Sequence, residues 1–466
     1  MGLSVLIVEK NSRHGGKLEQ LEWEGYRWDK GPSLFTLPEQ VDELFLLFDK
    51  NPRDFFNYKK VENSCHYYFN DGSNFLLKGD AETRNEDFIK HFYERDGRAA
   101  IDYVQKAEKT YNAIGGLFID YPKYGLKNLF DKALITKYPM LMSRKVRGSL
   151  NALNQDSFEN PNLIQLFDRY ATYNGSSPFQ ASGLYSMIAH LEINNGTFFP
   201  TNGMRSIVDS LYDLAIAQGV DFAFNEPSIA ISQETVGYKT KLSNSTIEAE
   251  RVVSAIDCVT FYKNVLKNEK LAAKYAAKER SSSAIIFYWA VEKVIPELQL
   301  HNILFSSSYE REFNSIFKFG EMPKDPTVYL HVSSVANPKD APTNGQNWFL
   351  MINTPAGVVP SDEQKKNLRK MIHRLIQEKF SVDISQAVLH EKVWDAAGIE
   401  ADTGSFMGAL YGASSNAKLA ALTRHGNTSK KYKNAYFVGG TVHPGGGIPL
   451  VLKSAKIVAN IIEKEK

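Results

Sequence analysis

Apolar positions follow two rhythms along the chain, and each change of rhythm marks an element. Residues 3–8 (LSVLIV) form a short apolar run that stops at Glu9, a length that suits a buried parallel strand and is too short for a helix. Residues 36–195 read as mostly helical: Leu44, Leu46, Leu47 and Phe48 share one amphipathic stretch, and a second spans 103–114. A helical pattern at 207–217 gives way to alternating residues at 228–232 and 238–241, then to a strand at 251–256, which returns the chain to an α/β arrangement. Residues 284–291 (AIIFYWAV), 327–333 (TVYLHVS) and 348–353 (WFLMIN) are rich in β-branched and aromatic side chains, which predicts an antiparallel sheet in a second domain. A helix with Lys and Arg on its outer face is predicted over 361–380. Residues 435–438 are a last strand, which enters a glycine-rich turn before a helix at about 449–463. No internal repeat interrupts the series, so two domains interleave along one chain.

At 466 residues and 43% hydrophobic content, the chain can bury more than one core. With 55 basic against 53 acidic side chains, the net charge of +2 argues against a broad nucleic-acid surface. Cys65 and Cys258 have neither a metal-ligand spacing nor the layout of a disulfide framework, which points to a reducing cytoplasm and to no metal. Met1 leads almost at once into the first apolar run, so no signal peptide is expected. Apolar stretches such as 283–291 and 448–452 fall far short of the roughly 20 residues of a membrane span.

The strongest chemical signal is residues 434–452, NAYFVGGTVHPGGGIPLVL, where a strand ends at glycines and a helix begins near Pro449. A helix N-terminus offers free N–H groups and a positive dipole end, which suits a redox ring that becomes anionic on reduction. Glycines allow backbone to approach such a ring; the same spacing also fits a plain strand-to-helix turn. At the other end, a strand that stops at Glu9 before Gly15-Gly16 has the layout of the second strand of a dinucleotide-binding unit.

Residues 434–452 resemble the C-terminal signature of the bacterial phytoene desaturase family, flavin-dependent carotenoid desaturases among the amine-oxidase-like flavoproteins. Further matches follow in the family's order: Glu9 with His14-Gly15-Gly16-Lys17, Gly31-Pro32-Ser33, Phe199 to Met204, Val252 to Asp257, Asp325 to Tyr329, Asp340-Ala341-Pro342 and Gly408 to Gly412. The resemblance implies an α/β fold: an amine-oxidase-like, FAD-binding Rossmann-type domain interleaved with a substrate domain of antiparallel sheet plus helices. The FAD domain is expected at 1–75, 196–262 and 401–466, a helical, membrane-facing substrate part at 76–195, and the substrate sheet at 263–400. The resemblance assigns cofactor contacts to Glu9, Lys10, Gly15, Gly16, Lys17, Gly31, Pro32, Ser33, Asp257, Gly439, Gly440, His443, Gly446, Gly447, Ile448 and Pro449. Glu9 is similar to the acidic residue that binds the adenosine ribose. Lys17 stands where the family has Arg, which keeps a cation but loses bidentate geometry. Family members place a strand and a G-x-G-x-x-G turn before that acidic residue. Here it is residue 9, so that segment is expected upstream, and the chain as given is expected to bind FAD poorly.

Residues 173–178 (YNGSSP) and 347–353 (NWFLMIN) look more like the 1-hydroxycarotenoid 3,4-desaturase branch, which implies a new double bond near the hydroxylated end of a carotenoid such as 1'-hydroxy-γ-carotene. An allylic C–H is too weak an acid for a side-chain base, so the flavin is expected to take hydride while the polyene spreads the positive charge. Only a weak base is then needed; Glu192 and His190 are the candidates, each with a structural role as its alternative. Tyr173, Tyr185 and Tyr288 are expected to line a substrate tunnel, with core packing as the alternative. Delivery of so apolar a substrate suits a tunnel that opens on a bilayer, placing the protein on the inner face of the cell membrane. Residues 115–153, apolar with interspersed Lys and Arg, are the candidate contact, although an amphipathic helical pair would read the same. The competing readings are a phytoene desaturase, a carotenoid isomerase or saturase, a non-catalytic carotenoid-binding protein and a generic amine oxidase.

Overall fold

The computed structural model describes residues 2–116, 148–417, 420 and 424–465. Its largest feature is a seven-stranded sheet in the order Val388–Trp394, Ser283–Val291, Gln346–Thr354, Val328–Val332, His301–Leu304, Asn63–Tyr68, Asn74–Lys78. All neighbours are antiparallel except Asn63–Tyr68 against His301–Leu304. All nine residues of Ser283–Val291 are buried, which explains why this strand reads as an unbroken apolar run. Its period of two divides it between cores. Ile285, Phe287, Trp289 and Val291 pack with Leu368, Ile372 and Ile376 of the helix Asp362–Phe380. Ala284, Ile286, Tyr288 and Ala290 pack with Tyr26 and Trp28. Each large side chain so buried contributes about 2 kcal/mol. Ser361 starts the helix as a capping box with Gln364.

The α/β part is built from short parallel pairs, Leu6–Val8 with Asp221–Ala223 and Val252–Ser254 with Ala435–Phe437. The helix Arg205–Ala217 buries Ile207 and Leu214 with Phe35, Val41, Phe45 and Phe56. Ala230–Gln233, Tyr238–Lys241 and Thr246–Ala249 form a three-stranded antiparallel sheet.

The described residues of 36–195 are mostly helical, as the pattern predicts, but not throughout. They contain the strands Tyr58–Lys60, Asn63–Tyr68 and Asn74–Lys78. Tyr67 and Tyr68 are both buried, and the alternation of Phe75 and Leu77 faces the core, so aromatic burial on a sheet edge overrides the surrounding helical signal. The boundary expected at residue 75 therefore cuts a hairpin that pairs with residues 301–304. The longest helical stretch among the described residues of this region is Ala81–Thr110, capped by Asp80 and kinked at Tyr93, with shorter helices at Glu39–Leu46, Leu150–Ser157, Pro161–Asp168 and Met187–Ile193. Among the described residues no helix is long and apolar enough to cross a membrane.

Candidate functional site

The glycine-rich segment leaves the strand Ala435–Phe437 at Gly439, whose φ of +100° is open to glycine, and ends at Gly447 (φ +99°), where the helix Ile448–Lys464 begins. No side chain caps that helix and Pro449 sits in its first turn, so its first N–H groups point out without side-chain partners. Asn427 fixes the segment: its Nδ2 donates to the carbonyls of Phe437 (3.1 Å) and His443 (2.9 Å). An added Cβ on Gly446 would collide with the ring of Tyr411, whereas one on Gly447 would meet nothing within 4 Å.

Positive charge gathers beside this segment. Lys17 Nζ donates to the Leu410 carbonyl at 2.9 Å. Arg424, buried, donates to the carbonyls of Tyr411 (2.9 Å), Gly440 (3.2 Å) and Ala413 (3.0 Å). Arg280 and Asp257 form a buried ion pair at 2.7 Å, and Asp257 also caps the turn at Cys258 by accepting from Val259 N at 2.8 Å. Lys17 and Arg280 thus act on one carboxylate, and Arg424 lies close enough to Arg280 to feel its charge. Burial lowers Lys17 to about 8, with Arg280 adding to the effect and Asp257 opposing it. Burial also lowers Arg424, with Tyr185 opposing and Arg280 adding.

The ring of Tyr411 is clamped between two backbones. Gly446 abuts one edge, and on the other a Cβ at Gly175 would lie 2.9 Å from the ring. The segment that carries Tyr173 is tied to the same loop: Ser177 N donates to Asn416 Oδ1 at 2.8 Å and Ser415 N to Ser176 Oγ at 3.0 Å. Tyr185 lies beside Ser415 and Arg424, buried enough to raise its phenol. Tyr288 instead donates to the Lys30 carbonyl at 2.5 Å within the sheet core.

Behind Tyr173 a polar cluster is enclosed by aromatic side chains. The Arg169 guanidinium donates to Glu192 Oε1 (2.7 Å), Glu192 Oε2 (2.9 Å) and Tyr67 Oη (2.8 Å). It lies 5.0 to 5.4 Å from the ring centres of Tyr67, Tyr170 and Tyr173. Tyr67 and Tyr170 each donate to Glu192 Oε1 at 3.3 Å. Both oxygens of Glu192 are therefore engaged, and a proton taken there would break the ion pair. His190, on the same helix Met187–Ile193, shares a 3.0 Å hydrogen bond with Asn194. Burial lowers its imidazole, opposed by Glu108. A hydrogen-bonded line runs from Ser33 Oγ to Tyr329 Oη (2.8 Å) and on to His301 Nδ1 (2.8 Å).

Over residues 1–462 the chain matches the family described as flavin containing amine oxidoreductase. It is 42% identical over 474 aligned positions, 99% of this chain and 94% of the relative, to a 1-hydroxycarotenoid 3,4-desaturase of Flavobacterium sp. (strain P99-3). It is 26% identical, over 99% of its length and 93% of the relative, to a carotenoid 3,4-desaturase of Haloarcula japonica. The chain belongs to this family. Its fold is shared with solved structures as well. An oxidoreductase from Methanosarcina mazei superposes with a TM-score of 0.62 at 14% identity, covering 98% of this chain and 94% of that one. The cyclohexylamine oxidase from Brevibacterium oxydans gives 0.56 at 13%, covering 100% and 94%.

The protein is thus a flavin-dependent oxidoreductase that uses FAD. The residues present suit that group: an uncapped helix N-terminus, excess buried positive charge and open space at Gly16 and Gly447 all favour an anionic, planar ligand. Of the cofactor contacts expected from sequence, Lys17, Asp257, Gly439, Gly440, His443, Gly446, Gly447, Ile448 and Pro449 come together here. Gly31 approaches Lys17 so closely that a Cβ would collide with the Lys17 carbonyl, which joins the Gly31-Pro32-Ser33 segment to the same region. Glu9 and Gly15 lie apart from the glycine-rich segment, lining a cavity of about 280 Å³ with His14, Val208, Tyr212 and Phe224. Lys10 Nζ donates to the Ala401 carbonyl. Sequence reasoning missed Arg280, Arg424, Arg169 and the Tyr329–His301 pair, because one sequence gives no sign of which cations and polar rings are buried. Of the segment 115–153 expected at a bilayer, residues 117–147 lie outside the described residues.

Proposed function

We propose that this protein is a carotenoid desaturase that introduces the C-3,4 (3',4') double bond into a 1-hydroxycarotenoid such as 1'-hydroxy-γ-carotene. The observation that carries the reading is the Tyr411 clamp, which sets the glycine-rich, cation-lined segment directly against an aromatic compartment built around Tyr173. The names of both carotenoid relatives support the position of attack. Bound FAD supplies the acceptor for the hydride that leaves an allylic carbon. The chain's own part is electrostatic and steric. Lys17 and Arg424 provide positive charge where electron density arrives. Tyr173 and Tyr185 wall the polyene and exclude water, and their ring faces favour the positive charge that spreads along it. Proton loss from that cation needs only a weak acceptor, so we place no requirement on Glu192, whose oxygens already hold Arg169. We assign Glu9 and Lys10 to the adenosine side of the cofactor and residues 115–153 to a bilayer surface from which the substrate enters.

The test is anaerobic mixing of the flavin-loaded protein with 1'-hydroxy-γ-carotene. Bleaching of the oxidised flavin and a product two hydrogens lighter are expected. A product of unchanged mass would identify an isomerase instead, and an unbleached flavin would defeat the reading.

A further inference from the structure

The interior beside Tyr173 holds polar atoms that the protein itself leaves without partners. Arg169 is 8% exposed and His301 is 1% exposed, and the Nε of Arg169, the Nε2 of His301 and the hydroxyl of Tyr173 are all buried without a hydrogen-bond partner. The three belong to one neighbourhood: Arg169 lies 5.4 Å from the centre of the Tyr173 ring, and its charge acts on His301. Around them the wall is apolar and aromatic, with Leu166, Phe167, Tyr170 and Phe305 in the same core. Leaving buried donors and acceptors unpaired costs free energy, so their retention signals a ligand group that completes them. A hydrocarbon polyene offers nothing to any of the three.

We propose that Tyr173, Arg169 and His301 form the recognition point for the hydroxyl group of the substrate, and so set the enzyme's preference for hydroxylated carotenoids. The proposal rests on the desaturase reading and adds to it the residues that select the substrate. A tertiary alcohol both accepts and donates. It accepts from the Arg169 Nε–H or the Tyr173 hydroxyl, and it satisfies His301 Nε2 in either tautomer of the ring. Burial, with His331 and Arg169 nearby, holds His301 well below the usual imidazole range, so the ring is neutral. Regiochemistry follows from the same placement. His301 is joined through Tyr329 to Ser33, in two hydrogen bonds of 2.8 Å each, and Ser33 lies in the segment assigned to the cofactor. A hydroxyl held at His301 would keep the hydroxylated end near the Ser33 segment that would hold the cofactor, and the bond to be oxidised begins at the second carbon beyond the carbinol carbon.

The measurement is kcat/KM for 1'-hydroxy-γ-carotene divided by that for γ-carotene, in the flavin-loaded enzyme. The wild type is expected to favour the alcohol by about a hundredfold or more, because a site built to hydrogen-bond a hydroxyl rejects the analogue that lacks it. Tyr173→Phe, which breaks no hydrogen bond within the protein, is expected to cut that ratio about tenfold, and Tyr173→Phe with His301→Phe about a hundredfold. A wild type that desaturates both carotenoids equally well, or a flavin-loaded Tyr173→Phe with an unchanged ratio, overturns the hydroxyl site and leaves the desaturase reading standing. A wild type that oxidises neither carotenoid defeats the desaturase reading and this proposal with it.

Discussion

Replacing Arg169 by Met separates the energetic role of the buried ion pair from its size. The methionine keeps an unbranched, flexible stem of similar reach but abandons Glu192, which is 1% exposed. At the observed N–O separation of 2.7 Å, an effective dielectric of 20 gives a gross attraction of about 6 kcal/mol. Much of this is offset by the cost of desolvating both charges, and measured losses on breaking such pairs run to about 3–5 kcal/mol because the remaining charge stays buried and alone. Lost contact between the guanidinium and the three tyrosine rings adds about 1 kcal/mol. Arg169→Met is therefore expected to destabilise the protein by about 5 kcal/mol in urea unfolding followed by tryptophan fluorescence. Adding Glu192→Leu to the same chain is expected to restore most of the loss, since an apolar pair of similar volume replaces a buried ion pair at little net cost. A single variant within about 1 kcal/mol of wild type, or a double variant no more stable than the single, would refute the assignment of Glu192 as a charge held by Arg169.

Other outcomes follow from the same geometry. Gly31→Ala is expected to cost about 3 kcal/mol and to lower the flavin content of the purified protein, because its Cβ would collide with the Lys17 carbonyl. Gly16→Ala, at φ +57° with open space around it, is expected to cost only about 1 kcal/mol, and equal losses for the two would contradict the close approach. Burial raises Asp168 and Glu312 to about 7 each. For a carboxyl raised in the folded state, the stabilisation is complete below its unfolded value and is lost as pH rises through about 7. Asp168→Asn is therefore expected to flatten the decline in stability between about pH 4 and about pH 7, measured by urea midpoints across that range. A profile as steep as that of wild type would count against the burial effect.

The strand Ser283–Val291 was readable from sequence as a β-rich apolar run, and the helices Asp362–Phe380 and Ile448–Lys464 from their helical period, with a capping box on the first. The hairpins Gln20–Asp29 and Asn63–Lys78 were not. Trp28 is buried by the sheet that pairs far away in sequence, and Tyr67 by Arg169 and Phe305; neither partner is visible in the local pattern. The glycine-rich segment was legible as a site because glycine leaves a direct trace of close approach. Its charges were not. Arg280 and Arg424 sit among serines and near the chain's small residues, where an exposed arginine would look the same, and only the fold turns them inward toward Asp257 and three carbonyls.

The interleaving of the two parts also sets a timetable for biosynthesis. The strand Asn63–Tyr68 pairs with His301–Leu304, so after emerging from the ribosome it waits for a partner that is made roughly 10 to 50 seconds later at ordinary translation rates. Val252–Ser254 waits in the same way, roughly 10 to 35 seconds, for Ala435–Phe437 and the glycine-rich segment that follows it. During that interval Tyr67, Phe75 and Leu77 have no finished sheet to cover them, and a nascent chain in this state offers an apolar edge to its neighbours on the same polysome. Slower initiation or a supply of holdase chaperone should thus raise the soluble yield more than any surface substitution, because the vulnerable species is a half-made molecule and not the finished one.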